Sequence, residues 1–148
     1  MCGAKGKRAA VIVMLFSLSA CEGEREITNR KATYPVTGEV YVDGQPVGEL
    51  KVTCHSVKGL DKANPTSSSA LTDEDGTFAI STYYEGDGVP EGDYVLTFFW
   101  GINRPMRGRY DGPDKLNERY DDPARSTFKF SVESGTPTDL GRLDLTTK

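Results

Sequence analysis

From residue 34 to residue 145 apolar side chains recur at alternate positions between short turn signals. That period belongs to the β-strand, whose successive side chains point to opposite faces. Val36, Gly38, Val40 and Val42 share one phase, and Thr37, Glu39 and Tyr41 take the other. Asp43-Gly44, with Pro46 just after, turns the chain. In the stretch 50–57, Val52 and Cys54 face opposite to Lys51, Thr53 and His55. A hairpin is predicted next: 69–72, a turn at Asp73-Glu74-Asp75-Gly76, then 77–82 with Phe78 and Ile80 aligned. The stretch 93–100 carries bulk on both phases: Tyr94, Leu96, Phe98 and Trp100 against Val95, Thr97 and Phe99. A strand of that kind belongs inside a sheet. In 126–133, Phe128, Phe130 and Val132 alternate with Thr127, Lys129, Ser131 and Glu133. A last strand over 140–145 closes the domain, with Gly141 as a bulge. Seven short strands and no long amphipathic helix predict an all-β, antiparallel β-sandwich over 34–148.

The first twenty residues are a different material. Lys5, Lys7 and Arg8 precede an apolar run over 9–18, interrupted only by Ser17. Ten residues of helix reach about 15 Å, half of a bilayer core of roughly 30 Å, so the run suits a signal peptide rather than a span. Leu18-Ser19-Ala20-Cys21 resembles the lipobox of bacterial lipoproteins. The resemblance implies cleavage after Ala20, diacylglycerol on the Cys21 sulfur and an acylated new N-terminus such as palmitate supplies. Several acyl chains hold a membrane stably where one does not. Residues 21–33 are polar, with Ile27 and Ala32 the apolar exceptions, and read as a flexible tether. The implied location is the cell envelope, facing outside the cytoplasm. Cys2 leaves with the leader and Cys21 is acylated, so Cys54 has no partner for an intrachain disulfide.

Charge narrows the partners. The leader holds three basic residues and no acid; the rest of the chain has 15 basic and 22 acidic residues, net −7. Such a domain is a poor ligand for a phosphate backbone, and nucleic acid is excluded as a partner.

Four runs carry a family resemblance: Val36-x-Gly38-x-Val40 with Asp43-Gly44-x-Pro46-Val47; Thr72-Asp73-x-Asp75-Gly76-x-Phe78; Gly86-Asp87-Gly88-x-Pro90-x-Gly92-x-Tyr94; and Arg119-Tyr120-Asp121-Asp122-Pro123. Together, over Val36 to Leu145, they resemble the carboxypeptidase regulatory-like, transthyretin-like domains of small bacterial lipoproteins. The resemblance implies a Greek-key sandwich with no catalytic residues. The related purine-pathway hydrolases use several histidines, whereas this chain has one.

No residue pattern organises a reaction. Cys54-His55 offers a thiol and an imidazole, but strand neighbours point apart. Asp73-Glu74-Asp75-Gly76 is too short by itself for a calcium loop; Asp87, Glu91 and Asp93 form a second acidic loop that could in principle supplement it. No metal or cofactor is expected, and no enzymatic activity. Residues 101–125 break the alternation. A short helix is predicted there, capped by Asp114 with Leu116 and Tyr120 on one face. The near-copies Arg109-Tyr110-Asp111-Gly112-Pro113 and Arg119-Tyr120-Asp121-Asp122-Pro123 read either as a paired recognition surface or as two similar turns with Tyr120 packed down. Arg104, Arg107, Arg109 and Tyr110 are the candidates for partner binding, since arginine and tyrosine are enriched in hot spots. The competing role for the segment is to cover one end of the sandwich with Met106, Leu116 and Tyr120. The function expected is a lipid-anchored, non-catalytic module that binds or spaces an envelope protein or polysaccharide. The alternative is small-ligand, metal or glycan binding through the acidic or Arg/Tyr loops, and a third, lesser reading is an enzyme whose site no motif reveals.

Overall fold

The computed structural model describes residues 29–148; the leader, Cys21 and residues 21–28 of the tether lie outside the described residues. The described chain is all-β. Its strands are β1 (Val36–Val42), β2 (Gln45–Pro46), β3 (Lys51–Ser56), β4 (Ser68–Leu71), β5 (Thr77–Ala79), β6 (Gly92–Phe99), β7 (Ile102–Arg104), β8 (Arg109–Asp111), β9 (Lys129–Val132) and β10 (Thr138–Leu145). The seven anticipated strands correspond to β1, β3, β4, β5, β6, β9 and β10. The two-residue β2 and the pair β7–β8 are additional.

Two four-stranded sheets face each other. In one, β1 lies between β10 and the short strands β2 and β5; the other has the order β4-β3-β6-β9. Alternation explains what lies between them. Val36, Val40 and Val42 of the first sheet meet Val52, Cys54, Leu96, Phe98 and Val132 of the second in one core cluster. Full burial of a Val, Leu or Phe side chain stabilises by roughly 1.5–3 kcal/mol, so this stripe outweighs any surface ion pair. β6 pairs with β3 on one side and β9 on the other, as its two-faced bulk predicts.

Three expectations fail, each for a tertiary reason. The segments 69–72 and 77–82 do not form a hairpin ladder: β4 pairs with β3, whereas β5 pairs with β1 in the opposite sheet. The turn at 73–76 therefore carries the chain across the sandwich, leaving a single bridge between Ser69 and Ser81. The sheet is not wholly antiparallel, because β10 runs parallel to β1. Alternation sets which face is buried and is blind to strand direction. The predicted helix within 101–125 is replaced by a hairpin and a turn. Asn117 and Glu118 adopt left-handed backbone at φ 58° and 55°, which no α-helix continues through.

The predicted bulge is present. Thr37 pairs with Asp139 and Glu39 with Arg142, so β10 spends an extra residue at Leu140-Gly141, where Gly141 takes φ 65°.

Candidate functional site

Strand β6 delivers the chain to one end of the sandwich and β3 leaves from that same end, since Lys51 pairs with Phe99. The hairpin β7–β8 projects there as a sheet of its own. Its register pairs Ile102 with Asp111, Asn103 with Tyr110 and Arg104 with Arg109. Pro105 opens a single 3-10 turn over Pro105–Arg107, and left-handed Gly108 ends it with its N–H on the Pro105 carbonyl.

Tyr110 fixes the base. Its hydroxyl donates to the Glu49 carbonyl at 2.6 Å and accepts the Gly101 N–H at 2.9 Å. Its ring meets Phe99 edge-on, with centroids 5.9 Å apart. Burial pushes the phenol above its ordinary pKa. Asn103 adds a hydrogen bond to the Glu49 carboxylate at 3.2 Å. Tyr110 is therefore a post of the hairpin, with its hydroxyl committed to backbone.

The arginines behave differently. Arg104 and Arg109 are cross-strand partners that share one carboxylate, Asp111, at 3.3 Å and 2.6 Å. Both stay exposed, so these pairs contribute little stability. Arg107 lies at the tip beside Met106, whose surface is 100% exposed. Met106 is thus no part of the cover expected of this segment. Leu116 and Tyr120 do cover: Leu116 is fully buried, and Tyr120 sits edge-on to Phe98 at 6.3 Å.

Asp114 caps a turn instead of a helix. Its carboxylate accepts the N–H groups of Trp100 (2.9 Å), Leu116 (3.0 Å) and Glu118 (3.0 Å). Lys115 lies over the Trp100 ring at 4.6 Å. The two Arg-Tyr-Asp copies have unlike roles: one is strand β8, the other an irregular stretch whose Tyr120 carbonyl accepts the Phe98 N–H.

The remaining candidates disperse. Cys54 lies in the core, and burial pushes its thiol up to about 12. His55 takes the opposite face, with Nε2 2.8 Å from the Thr97 hydroxyl, and burial lowers its pKa. The acidic loops sit at opposite ends, because Leu71 pairs with Lys51 whereas the Asp93 carbonyl accepts the Val57 N–H beyond Ser56. Asp75 is occupied by Thr77 at 2.6 Å and Asp87 by the Thr82 N–H at 2.7 Å. Among the described residues no group of three His, Cys, Asp or Glu side chains is placed to hold a metal ion. No helix among them is long and apolar enough to cross a membrane.

One feature of the surface escapes sequence reasoning. Asn29, Asn64, Pro65, Thr66 and Tyr83 line an open groove of about 410 Å³, drawn from three separated segments. Beside it Arg30 lies over the Tyr84 ring at 4.5 Å, and Lys31 pairs with Asp61 at 2.5 Å. The start of the described chain is thereby held at the Ser56 end of β3, away from the hairpin.

No family model matches the chain, and no curated protein does. Several solved structures are similar to it. A DUF3823 family protein from Bacteroides ovatus is 18% identical, with a TM-score of 0.40 over 77% of this chain and 43% of that one. An (S)-allantoin synthase is 17% identical, with a TM-score of 0.41 over 79% of this chain and 42% of that one. The dioxygenase domain of a dioxygenase–carbohydrate-binding fusion from Streptomyces sp. SirexAA-E is 16% identical, with a TM-score of 0.38 over 81% of this chain and 82% of that one. The chain spans less than half the length of the first two.

Proposed function

We propose that this chain is a lipid-anchored, non-catalytic module of the bacterial envelope, a transthyretin-like Greek-key sandwich that holds or spaces another macromolecule. The observation that carries the reading is the polarity of the domain. The chain enters at the end where Lys31 meets Asp61, and the Arg104/Arg109 hairpin leaves from the other end of β3 and β6. A domain tethered through Cys21 then carries the hairpin at the end opposite its attachment. The basic leader, the short apolar run and the Leu18–Cys21 box supply the anchor half of the reading.

Two measurements test it. Wild-type chain should incorporate labelled fatty acid, and Cys21→Ala should abolish incorporation and processing. Crosslinking in intact cells should recover a partner that is lost when Arg104, Arg107 and Arg109 become serine while the melting temperature stays unchanged. Absence of fatty acid on the wild type overturns the anchor. Crosslinks indifferent to the three arginines overturn the binding face.

A further inference from the structure

We infer that the tip of the β7–β8 hairpin is a binding site for an acidic polysaccharide, an inference that rests on the envelope reading above and names the ligand class of its binding face.

The first ground is the guanidinium arrangement. The register sets Arg104 and Arg109 directly opposite each other, and both reach the Asp111 carboxylate, Arg104 at 3.3 Å and Arg109 at 2.6 Å. Two planar donor forks held side by side by a hairpin form a receptor for an oxyanion, because each fork matches a carboxylate or phosphate through two parallel N–H donors. Asp111 shows what such a ligand looks like when it is internal. It is shared between two arginines, both exposed, so donors remain for an external acid. Arg107, at the tip, makes no ion pair among the described residues.

The second ground is the contrast with the body. The described residues hold 14 basic and 19 acidic side chains, whereas residues 102–111 hold three arginines and one acid. Three strand residues at ~3.3 Å each lift the tip about 10 Å from its base, roughly one Debye length at physiological ionic strength. An approaching polyanion therefore meets three guanidinium groups and the one carboxylate that two of them share, Asp111, before it feels Glu49 and Asp114 at the base. The acidic body opposes any broader contact, which confines binding to the tip.

The third ground is position. The hairpin lies at the opposite end of the sheet from residues 29–31, through which the chain continues toward Cys21. On the envelope reading, the hairpin is therefore the end of the domain farther from its attachment. Tyr110 keeps the hairpin ordered before the ligand arrives, which lowers the entropic cost of binding.

The test uses the full chain purified in detergent from whole cells, with retention on immobilised polygalacturonate as readout and dextran as the neutral control. The wild type should be retained on polygalacturonate and pass through dextran. The triple variant R104S/R107S/R109S should lose retention ~10-fold or more, as removal of charge-assisted forks implies. R107S alone, which disturbs no internal pair, should lose part of it, and M106S none. Triple replacement by lysine should rescue only in part, since an ammonium lacks the planar fork. Rising salt should weaken retention. Equal retention on dextran, or unchanged retention of both R107S and the triple variant, overturns the inference. So does an arginine-dependent preference for phosphatidylglycerol over phosphatidylcholine vesicles without retention on polygalacturonate, which assigns the site to headgroups. Retention by a chain that carries no fatty acid upholds this site while the anchor reading falls.

Discussion

Tyr110 and Glu49 lie 61 positions apart, and the phenol of the first donates to the backbone carbonyl of the second at 2.6 Å. Through this bond the hairpin is fastened to the chain just before β3. Tyr110→Phe leaves the Gly101 N–H and the Glu49 carbonyl without their partner. The expected loss is about 1 kcal/mol by chemical denaturation, the usual net worth of one hydrogen bond. Amide exchange at Gly101 should accelerate. An unchanged exchange rate at Gly101 would show that the hairpin base stands without the tyrosine.

Gly88 makes a second prediction. Its φ is +81°, and a Cβ built there lies 1.7 Å from the Tyr34 carbonyl oxygen. Tyr34 and Val89 exchange hydrogen bonds at 2.9 Å and 3.1 Å across the same contact. Gly88→Ala must therefore push the first bridge of the domain apart as well as strain its own backbone. A loss of about 3 kcal/mol or more follows, in the range of clash and special-φ substitutions. Gly44→Ala, where nothing lies within 4 Å, serves as the comparison for φ strain alone. Equal melting temperatures for the two variants would contradict the close approach.

The Cys54 thiol links stability to pH. Burial raises it from the ordinary value of 9.0 to about 12. Above pH 9 the unfolded chain releases this proton while the folded chain keeps it, so the unfolded state binds fewer protons and stability falls as pH rises. The contribution is whole below pH 9 and is lost between 9 and about 12, at up to ~1.4 kcal/mol per pH unit. Cys54→Ala should flatten that alkaline slope. At pH 8 the native thiol should resist alkylation and react only on unfolding; rapid labelling of native protein would place it at the surface.

Core phase supplies the fourth prediction. Phe98 is 1% exposed and touches Phe128 with centroids 5.0 Å apart. Phe98→Ala should cost about 3–5 kcal/mol. Phe130 follows the inward phase yet is only half-buried at the outer strand β9, stacked on Tyr94 at 5.6 Å. Its truncation should cost less than that of Phe98. Lys129→Ala should stay within ~0.5 kcal/mol. Denaturation midpoints for the three rank the phases, and equal losses at 129 and 130 would invert them.

Local pattern carried a large part of this protein. Alternation is a property of neighbouring residues, so the inward phases of β1, β3, β6 and β9 were legible directly. So were the Asp-Gly turn at 43–44, the bulge at Gly141 and the opposed faces of Cys54 and His55, because each depends on backbone geometry within a few residues. Asp114 was recognisable as a cap, although what it caps depends on Trp100, fourteen residues away.

Pairing between distant segments was decided only by the tertiary structure. The Asp73–Gly76 turn reads as a hairpin in sequence, but it crosses between sheets: β4 pairs with β3 and β5 with β1, and Phe78 and Val52 enter one buried cluster from opposite layers. The parallel approach of β10 to β1 joins segments about a hundred residues apart and leaves no periodic trace. The same holds for the candidate site. Its arginines stand out by composition, but their pairing across Asp111, the anchoring of Tyr110 on Glu49 and the exposure of Met106 arise from register and from contacts at long range. Side-chain alternation encodes which face a residue takes; only packing of the whole chain decides which strand lies beside it.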